Sequence, residues 1–209
     1  MLIVLADDHA VVRRGLRDIL ASAFHTAHFF EAGTADDVLR AIRNSHCSLL
    51  VLDINMPGRT GVDVLREVKH LCPHLPVLML SVQPEDQYAV RCLRAGASGY
   101  LNKDSGEEEL LRAVRKVISG GRYVSAQLSE MLACELQQPS MKHPHELLSD
   151  RELDVLRMIA TGRSLTDIAE VLHVSVKTVS TYRSRSLLKM QMRSNADLTR
   201  YALNHKLIA

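Results

Sequence analysis

Leu49-Leu-Val-Leu-Asp-Ile-Asn-Met-Pro-Gly58, with Gly61 just beyond, decides how the rest of the chain is read. Leu49 to Leu52 is a short, unbroken apolar run, as expected of a central parallel strand covered on both faces. The run stops at Asp53, and Pro57, Gly58 and Gly61 then force a turn. Asp53 is therefore expected at the carboxyl end of a strand, the edge where open α/β sheets bind ligands. On position alone it has three readings: nucleophile, metal ligand, or cap of the next helix.

Working outward, Leu2 to Ala6 is a second buried-strand run, followed at once by Asp7 and Asp8. Ala10 to Leu20 has helical spacing, with Val11, Leu16, Ile19 and Leu20 apolar. Ala27 to Phe30 reads as a weaker strand, and Thr34 caps a helix through Asn44. A helix over Gly61 to Leu71 precedes a strand from Val77 to Leu80 that ends at Ser81. Glu85 to Ala95 is helical, Gly99 to Leu101 is a fifth strand followed by Lys103, and Glu107 to Ile118 is a fifth helix. That last helix has acids in its first turn and Arg115 and Lys116 near its end, as the macrodipole prefers. Five strand–helix alternations predict a doubly wound parallel sheet with helices on both faces.

The strand ends then carry Asp7, Asp8, Asp53, Ser81 and Lys103. Three carboxylates on neighbouring strand ends repel one another unless a cation is shared. Oxygen-only ligation with partial hydration suits Mg²⁺. A hydroxyl and a lysine beside it complete a cradle for a transferring phosphoryl group. The bland alternative, in which each acid merely caps the following helix, accounts for one such residue better than for the whole set.

Composition bounds the remaining choices. The chain of 209 residues has room for one large domain or two small ones. Apolar residues at 46%, charged residues at 24% and a mean hydropathy of −0.02 point to soluble, cored domains. No apolar run nears the ~20 residues of a membrane helix, and Leu2 to Ala6 is too short for a secretory signal, so the expected location is cytoplasmic. Cys47, Cys72, Cys92 and Cys134 are scattered without C-x-x-C spacing, so no zinc or disulfide framework is expected. His143-Pro-His145 reads as polar linker rather than a metal site. Charge is uneven: residues 1–121 hold 14 Lys/Arg against 15 Asp/Glu, a net of −1, and residues 122–209 hold 12 against 9, a net of +3. His173 to Arg193 contains Lys177, Arg183, Arg185, Lys189 and Arg193 and no acid. Such a stretch suits an anionic partner.

Arg122 to Gln138 contains one amphipathic helix at most, with Leu128, Met131, Leu132 and Leu136, and Pro139 to Pro144 reads as linker. Leu132 and Leu136 could dock on either flanking domain. Ser149 and Glu152 form a capping box, with Leu148 and Leu153 as its staple. Leu153, Leu156, Ile159 and Ala160 give that helix its buried face, and Gly162 ends it. A short helix follows with Leu165, Ile168, Ala169 and Leu172. His173 to Ser175 is a turn, and Ser175 caps a third helix to about Met190 with Val176, Val179, Leu187 and Met190 inward. Asn195 to Leu203 is a fourth helix. A short helix, tight turn and basic helix describe a helix-turn-helix; a small bundle with a solvated basic face fits the same pattern.

Residues 1–121 resemble a response-regulator receiver domain, through Asp7-Asp8, D-I-N-M-P-G-R-T-G from Asp53 to Gly61, Ser81, Gly99-Tyr100 and Lys103. The resemblance implies a flavodoxin-like sheet of order 2-1-3-4-5. It also implies phosphorylation of Asp53 by a sensor histidine kinase. Mg²⁺ would be bound by Asp8, Asp53 and the backbone carbonyl of Asn55, with Asp7 assisting through water, and Ser81 and Lys103 would contact the phosphoryl oxygens. Tyr100 is either an aromatic packed on an edge strand or the family's switch residue, which turns inward as Ser81 moves.

Residues 148–209 resemble the all-α DNA-binding domain of the NarL/FixJ (LuxR-type) regulators, through L-S-D-R-E-L-D-V-L from Leu148, I-A-E-V-L from Ile168 and K-T-V-S-T-Y from Lys177. The last stretch is nearest to regulators paired with hybrid sensor kinases. The resemblance places Ser180, Thr181 and Ser184 toward bases. Family members often carry Lys at the first and third of these positions, and serine is a permissive reader. Ser186 departs from the apolar residue usual in the family.

The expectation is thus a receiver over 1–121, a linker over 122–147 and a helix-turn-helix domain over 148–209. The chain is read as a transcription factor rather than an enzyme, dimerising on double-stranded DNA when phosphorylated. Lys177, Arg183, Arg185 and Lys189 are expected to contact phosphates. Two rivals are an Asp-nucleophile phosphatase, whose D-x-D motif belongs on a first strand rather than a third, and an orphan regulator controlled by protein contacts without phosphorylation.

Overall fold

The computed structural model describes residues 1–56, 58–82, 85–137, 143–205 and 207–208, with the backbone alone for 85–87, 131–132 and 134–137. Pro57, residues 139–142 of the expected linker and the side chains of Met131, Leu132 and Leu136 lie outside that description. The chain forms two compact units, Met1–Gln137 and Gln138–Ala209.

The first unit alternates β1 (Leu2–Ala6), α1 (Ala10–Ala23), β2 (His28–Ala32), α2 (Ala35–Asn44), β3 (Cys47–Asp53), α3 (Gly61–Leu71), β4 (Val77–Ser81), α4 (Glu85–Arg94), β5 (Gly99–Asn102) and α5 (Glu107–Ile118). All strand pairings are parallel and the order is β2-β1-β3-β4-β5, as the resemblance implied. β3 lies between β1 and β4, which is why its apolar run is continuous. Side chains alternate across it: Leu50 and Leu52 pack with Val4, Val38, Val62 and Leu65 under α2 and α3. Leu49 and Val51 pack with Ile3, Leu20, Val114 and Val117 under α1 and α5. The period of two thus splits one run into two cores.

Three local expectations change. Val11 is 86% exposed, because it lies nine residues before buried Leu20 and about 180° from it around the helix. β2 starts one residue and ends two residues later than its composition suggested and buries only Ala32, as befits the sheet edge. Residues 122–137 are not free linker. Tyr123 bridges to Gly99, and its hydroxyl donates to Glu109 at 2.7 Å. α6 (Ala126–Gln137) buries Leu128 completely in the core that also holds Tyr88 and Tyr100.

In the second unit a 3-10 helix (Pro144–Leu147) replaces part of the expected linker. It is followed by α7 (Asp150–Ala160), α8 (Leu165–Val171), α9 (Val176–Lys189) and α10 (Asn195–Asn204). The Ser149–Glu152 capping box is present, and both staple leucines are buried in one cluster. Ser164 and Asp167, and Ser194 and Asp197, form two further boxes. The turn after α8 closes with His173 N–H donating to Glu170 O and Val174 N–H to Ala169 O, with His173 at a φ of 52°. This is a Schellman turn with histidine where glycine is usual. Among the described residues no helix is long and apolar enough to cross a membrane.

Candidate functional site

Asp53 ends β3 and is 2% exposed. The loop beyond it turns back so closely that a Cβ on Gly61 would stand 2.0 Å from the Asp53 carbonyl oxygen. Only glycine fits there, and its N–H donates to Ile54 O at 2.7 Å. β1 delivers Asp7 and β5 delivers Lys103 to the same sheet edge. The Lys103 ammonium donates to Asp7 Oδ2 at 2.5 Å and lies 2.9 Å from Asp53 Oδ2. That second approach is an ion pair without hydrogen-bond alignment, and neither Asp53 oxygen accepts a well-formed hydrogen bond among the described residues.

The two buried acids differ in their support. Asp7 has a partner on each oxygen: Oδ1 accepts the His9 N–H at 2.8 Å and Oδ2 accepts Lys103. Asp53 is desolvated, and Lys103 and the backbone N–H of Asn55 approach its oxygens without meeting strict hydrogen-bond geometry. Burial pushes its carboxyl up to about 6 although Lys103 pulls it down. Lys103 in turn is raised: burial disfavours its charge, but the two carboxylates outweigh that. Asp8 is one quarter exposed and meets the His9 ring at 2.6 Å. Ligand atoms of Asp7, Asp8 and His9 lie within 4.8 Å of one another. His9 was not singled out in the sequence, though it adjoins the acid pair. Ser81 is fully buried at the end of β4, where the Lys103 N–H donates to its carbonyl at 2.8 Å. Tyr100 is fully buried on β5, in register with Met79 of β4 and in the core that holds Tyr88 of α4, and Asn55 is exposed in the loop after β3. An oxygen-rich, anionic recess with the buried Asp53 carboxylate and one cation fits a hard divalent ion and a phosphoryl group.

On α9, Lys177, Ser180, Thr181, Ser184 and Arg185 share one surface depression with Leu165, Val176 and Leu188. Val176 is 44% exposed rather than inward; it is the first residue of α9, ahead of the core entered by Val179. Thr181 and Ser184 donate their hydroxyls to carbonyls four residues back, at 3.0 and 2.9 Å. Their oxygens remain acceptors, and Thr181 keeps its methyl. Arg183 and Lys189 are engaged elsewhere. Arg183 Nε donates to Asn195 Oδ1 at 2.5 Å. Lys189 donates to the buried Glu152 carboxylate at 2.6 Å. Burial raises Glu152, but Lys189 and Ser149 bring it below the ordinary value. Ser186 is fully buried, and its hydroxyl is shared between Glu152 O at 3.2 Å and Tyr182 O at 2.9 Å. A polar link between α7 and α9 thus stands where the family usually packs an apolar side chain.

Fold and site together define a receiver with an acidic recess joined to a helix-turn-helix unit. A family model for the response regulator receiver domain matches residues 3–115, and one for bacterial regulatory proteins of the luxR family matches residues 146–202. The chain belongs to the NarL/FixJ family of two-component response regulators, with a receiver and a LuxR-type DNA-binding domain. It is 32% identical over 206 residues to the response regulator UvrY of Escherichia coli (strain K12), covering 98% of this chain and 94% of UvrY. It is 33% identical over 207 residues to the response regulator GacA of Pseudomonas aeruginosa, covering 99% and 97%. The fold is also that of RcsB from Salmonella enterica serovar Typhimurium, with a TM-score of 0.62, 23% identity and coverage of 96% and 98%.

Proposed function

We propose that Asp53 accepts a phosphoryl group from a sensor histidine kinase, and that the phosphorylated chain pairs on double-stranded DNA to regulate transcription in the cytoplasm. The observation that carries the phosphoryl half is the buried Asp53 carboxylate beside Lys103. With a carboxyl near 6, Asp53 is largely ionised at neutral pH. One of its oxygens attacks phosphorus, the P–N bond of the donor phosphohistidine breaks, the imidazole leaves with the electron pair, and an acyl phosphate remains. Asp8, Asp53 and the Asn55 carbonyl would hold Mg²⁺, which supplies positive charge against the carboxylates and phosphoryl oxygens. Asp7, with a partner on each oxygen and acceptor sites to spare, would assist the ion through water, and it keeps Lys103 in place. The Lys103 ammonium and the Ser81 hydroxyl contact phosphoryl oxygens, and Tyr100, packed in one core with Tyr88 of α4, relays that change into α4 and β5.

The DNA half is supported by the luxR-family match and the acid-free stretch from His173 to Arg193. Lys177 and Arg185 anchor phosphates, and Ser180, Thr181 and Ser184 face bases. One recognition helix spans a few base pairs, so two domains about 10 bp apart are needed for a strong site. Incubation with acetyl phosphate and Mg²⁺ should add one phosphoryl mass to the wild type and none to Asp53→Asn or to wild type in EDTA. Equal labelling of Asp53→Asn overturns the site assignment.

A further inference from the structure

The apolar spacing of α9 places Val176 inward with Val179, Leu187 and Met190, whereas the folded helix leaves it 44% exposed as its first residue. Residues four apart stack in rows along a helix. One row of α9 runs Lys177, Thr181, Arg185. The row beside it runs Val176, Ser180, Ser184, Leu188, and both rows border the same depression. Groups that tell bases apart are shared unevenly between them. Thr181 offers a methyl group and an acceptor oxygen, whereas Ser180 and Ser184 are permissive toward every base. Leu188 lies about 18 Å along the axis from Val176, at the far end of the helix. Discrimination at the leading end of the second row therefore falls to Val176.

We propose that Val176 is a specificity-determining residue that reads one thymine through its C5-methyl group. The proposal rests on the DNA reading above. In a helix-turn-helix the first residues of the recognition helix approach base edges, and Val176 opens α9. No acid lies between His173 and Arg193, and Lys177 and Arg185 share the depression, so its occupant is anionic. An exposed valine facing such a partner needs an apolar group to meet. On the major-groove edges of DNA that group is the thymine methyl. RNA offers no equivalent, since uracil lacks the methyl and the A-form major groove is too narrow to be read by side chains. Around the helix axis Val176 stands about 140° from Thr181, with Ser180 and Ser184 between them. The two methyl-bearing residues therefore address different thymines.

The test uses the full chain, treated with acetyl phosphate and Mg²⁺, and the duplex that it enriches from a randomised library. Each thymine is replaced singly by deoxyuridine, which removes the methyl and leaves base pairing intact, and affinities are measured at one salt concentration. Loss of the methyl that meets Val176 should weaken wild-type binding about fourfold, the worth of one methyl group withdrawn from water. Val176→Ala should be indifferent to that replacement and keep the wild-type response at every other thymine. Thr181→Ala should lose its response at a different thymine. Val171→Ala, which trims a valine 48% exposed outside the depression, should match the wild type throughout. A Val176→Ala chain that responds to every replacement as the wild type does, or a wild type indifferent to all of them, overturns the proposal and leaves the DNA reading standing. Failure to enrich any sequence would instead remove the DNA reading itself, and the proposal with it.

Discussion

Asp53 has a cost as well as a use. Its folded carboxyl stands near 6 against an ordinary 3.8 because burial outweighs the pull of Lys103. The folded state therefore holds the proton more tightly than the unfolded state, and the resulting stability declines as pH rises from about 4 to about 6. Asp53→Asn, in EDTA, should be more stable than wild type above about pH 6 by up to ~3 kcal/mol, with the advantage gone near pH 4. Urea unfolding at both pH values checks the sign. Lys189 works in the opposite direction. It neutralises Glu152, whose side chain is 3% exposed and which also completes the α7 capping box. Lys189→Ala should destabilise the second unit by ~1–3 kcal/mol, and the Glu152 contribution should fade as pH falls below about 4.5. A melt without DNA measures it. The sequence showed the charge of Lys189 but not its pairing with Glu152, 37 residues away.

At the level of elements, α9 divides its cations between two tasks. Arg183 and Lys189 hold α10 and α7, leaving Lys177 and Arg185 beside the serines and Thr181. Lys177→Ala and Arg185→Ala should weaken cognate and scrambled duplexes alike and lower the salt slope by about one each. Thr181→Ala should cost ~1–3 kcal/mol on the cognate duplex alone, since its methyl can meet a thymine methyl. Salt titration of each variant on both duplexes separates reader from anchor. The helices and strands themselves were legible: the caps at Thr34, Ser149 and Ser175 and the breaks at Gly61 and Gly162 place boundaries within a residue or two. Exposure at helix starts was not, because Val11 and Val176 continue an apolar pattern past the point where a core exists to receive them. Ser186 was visible as an oddity, but its partner is a backbone carbonyl on α7, which no side-chain pattern announces.

For the molecule as a whole, strand ends in sequence order announced the acidic recess, since each functional side chain follows an apolar run. The order of the strands did not follow from those runs and came from resemblance, because parallel crossovers leave no mark of which neighbour each strand takes. The reach of the first unit to Gln137 was also hidden, resting on Tyr123 and Leu128 meeting the sheet and α4 from far along the chain. The central claim is that a phosphoryl group on Asp53 governs DNA binding by the second unit. Coupling of this kind is typically ~1–3 kcal/mol, about 5- to 150-fold. The most direct measurement is the affinity of the full chain for its cognate duplex, at one salt concentration, with Mg²⁺ and with or without acetyl phosphate. The account predicts a gain within that range for the wild type, accompanied by dimer formation in sedimentation, and no gain for Asp53→Asn. An affinity that is unchanged in a fully phosphorylated wild type, or that rises equally in Asp53→Asn, contradicts it.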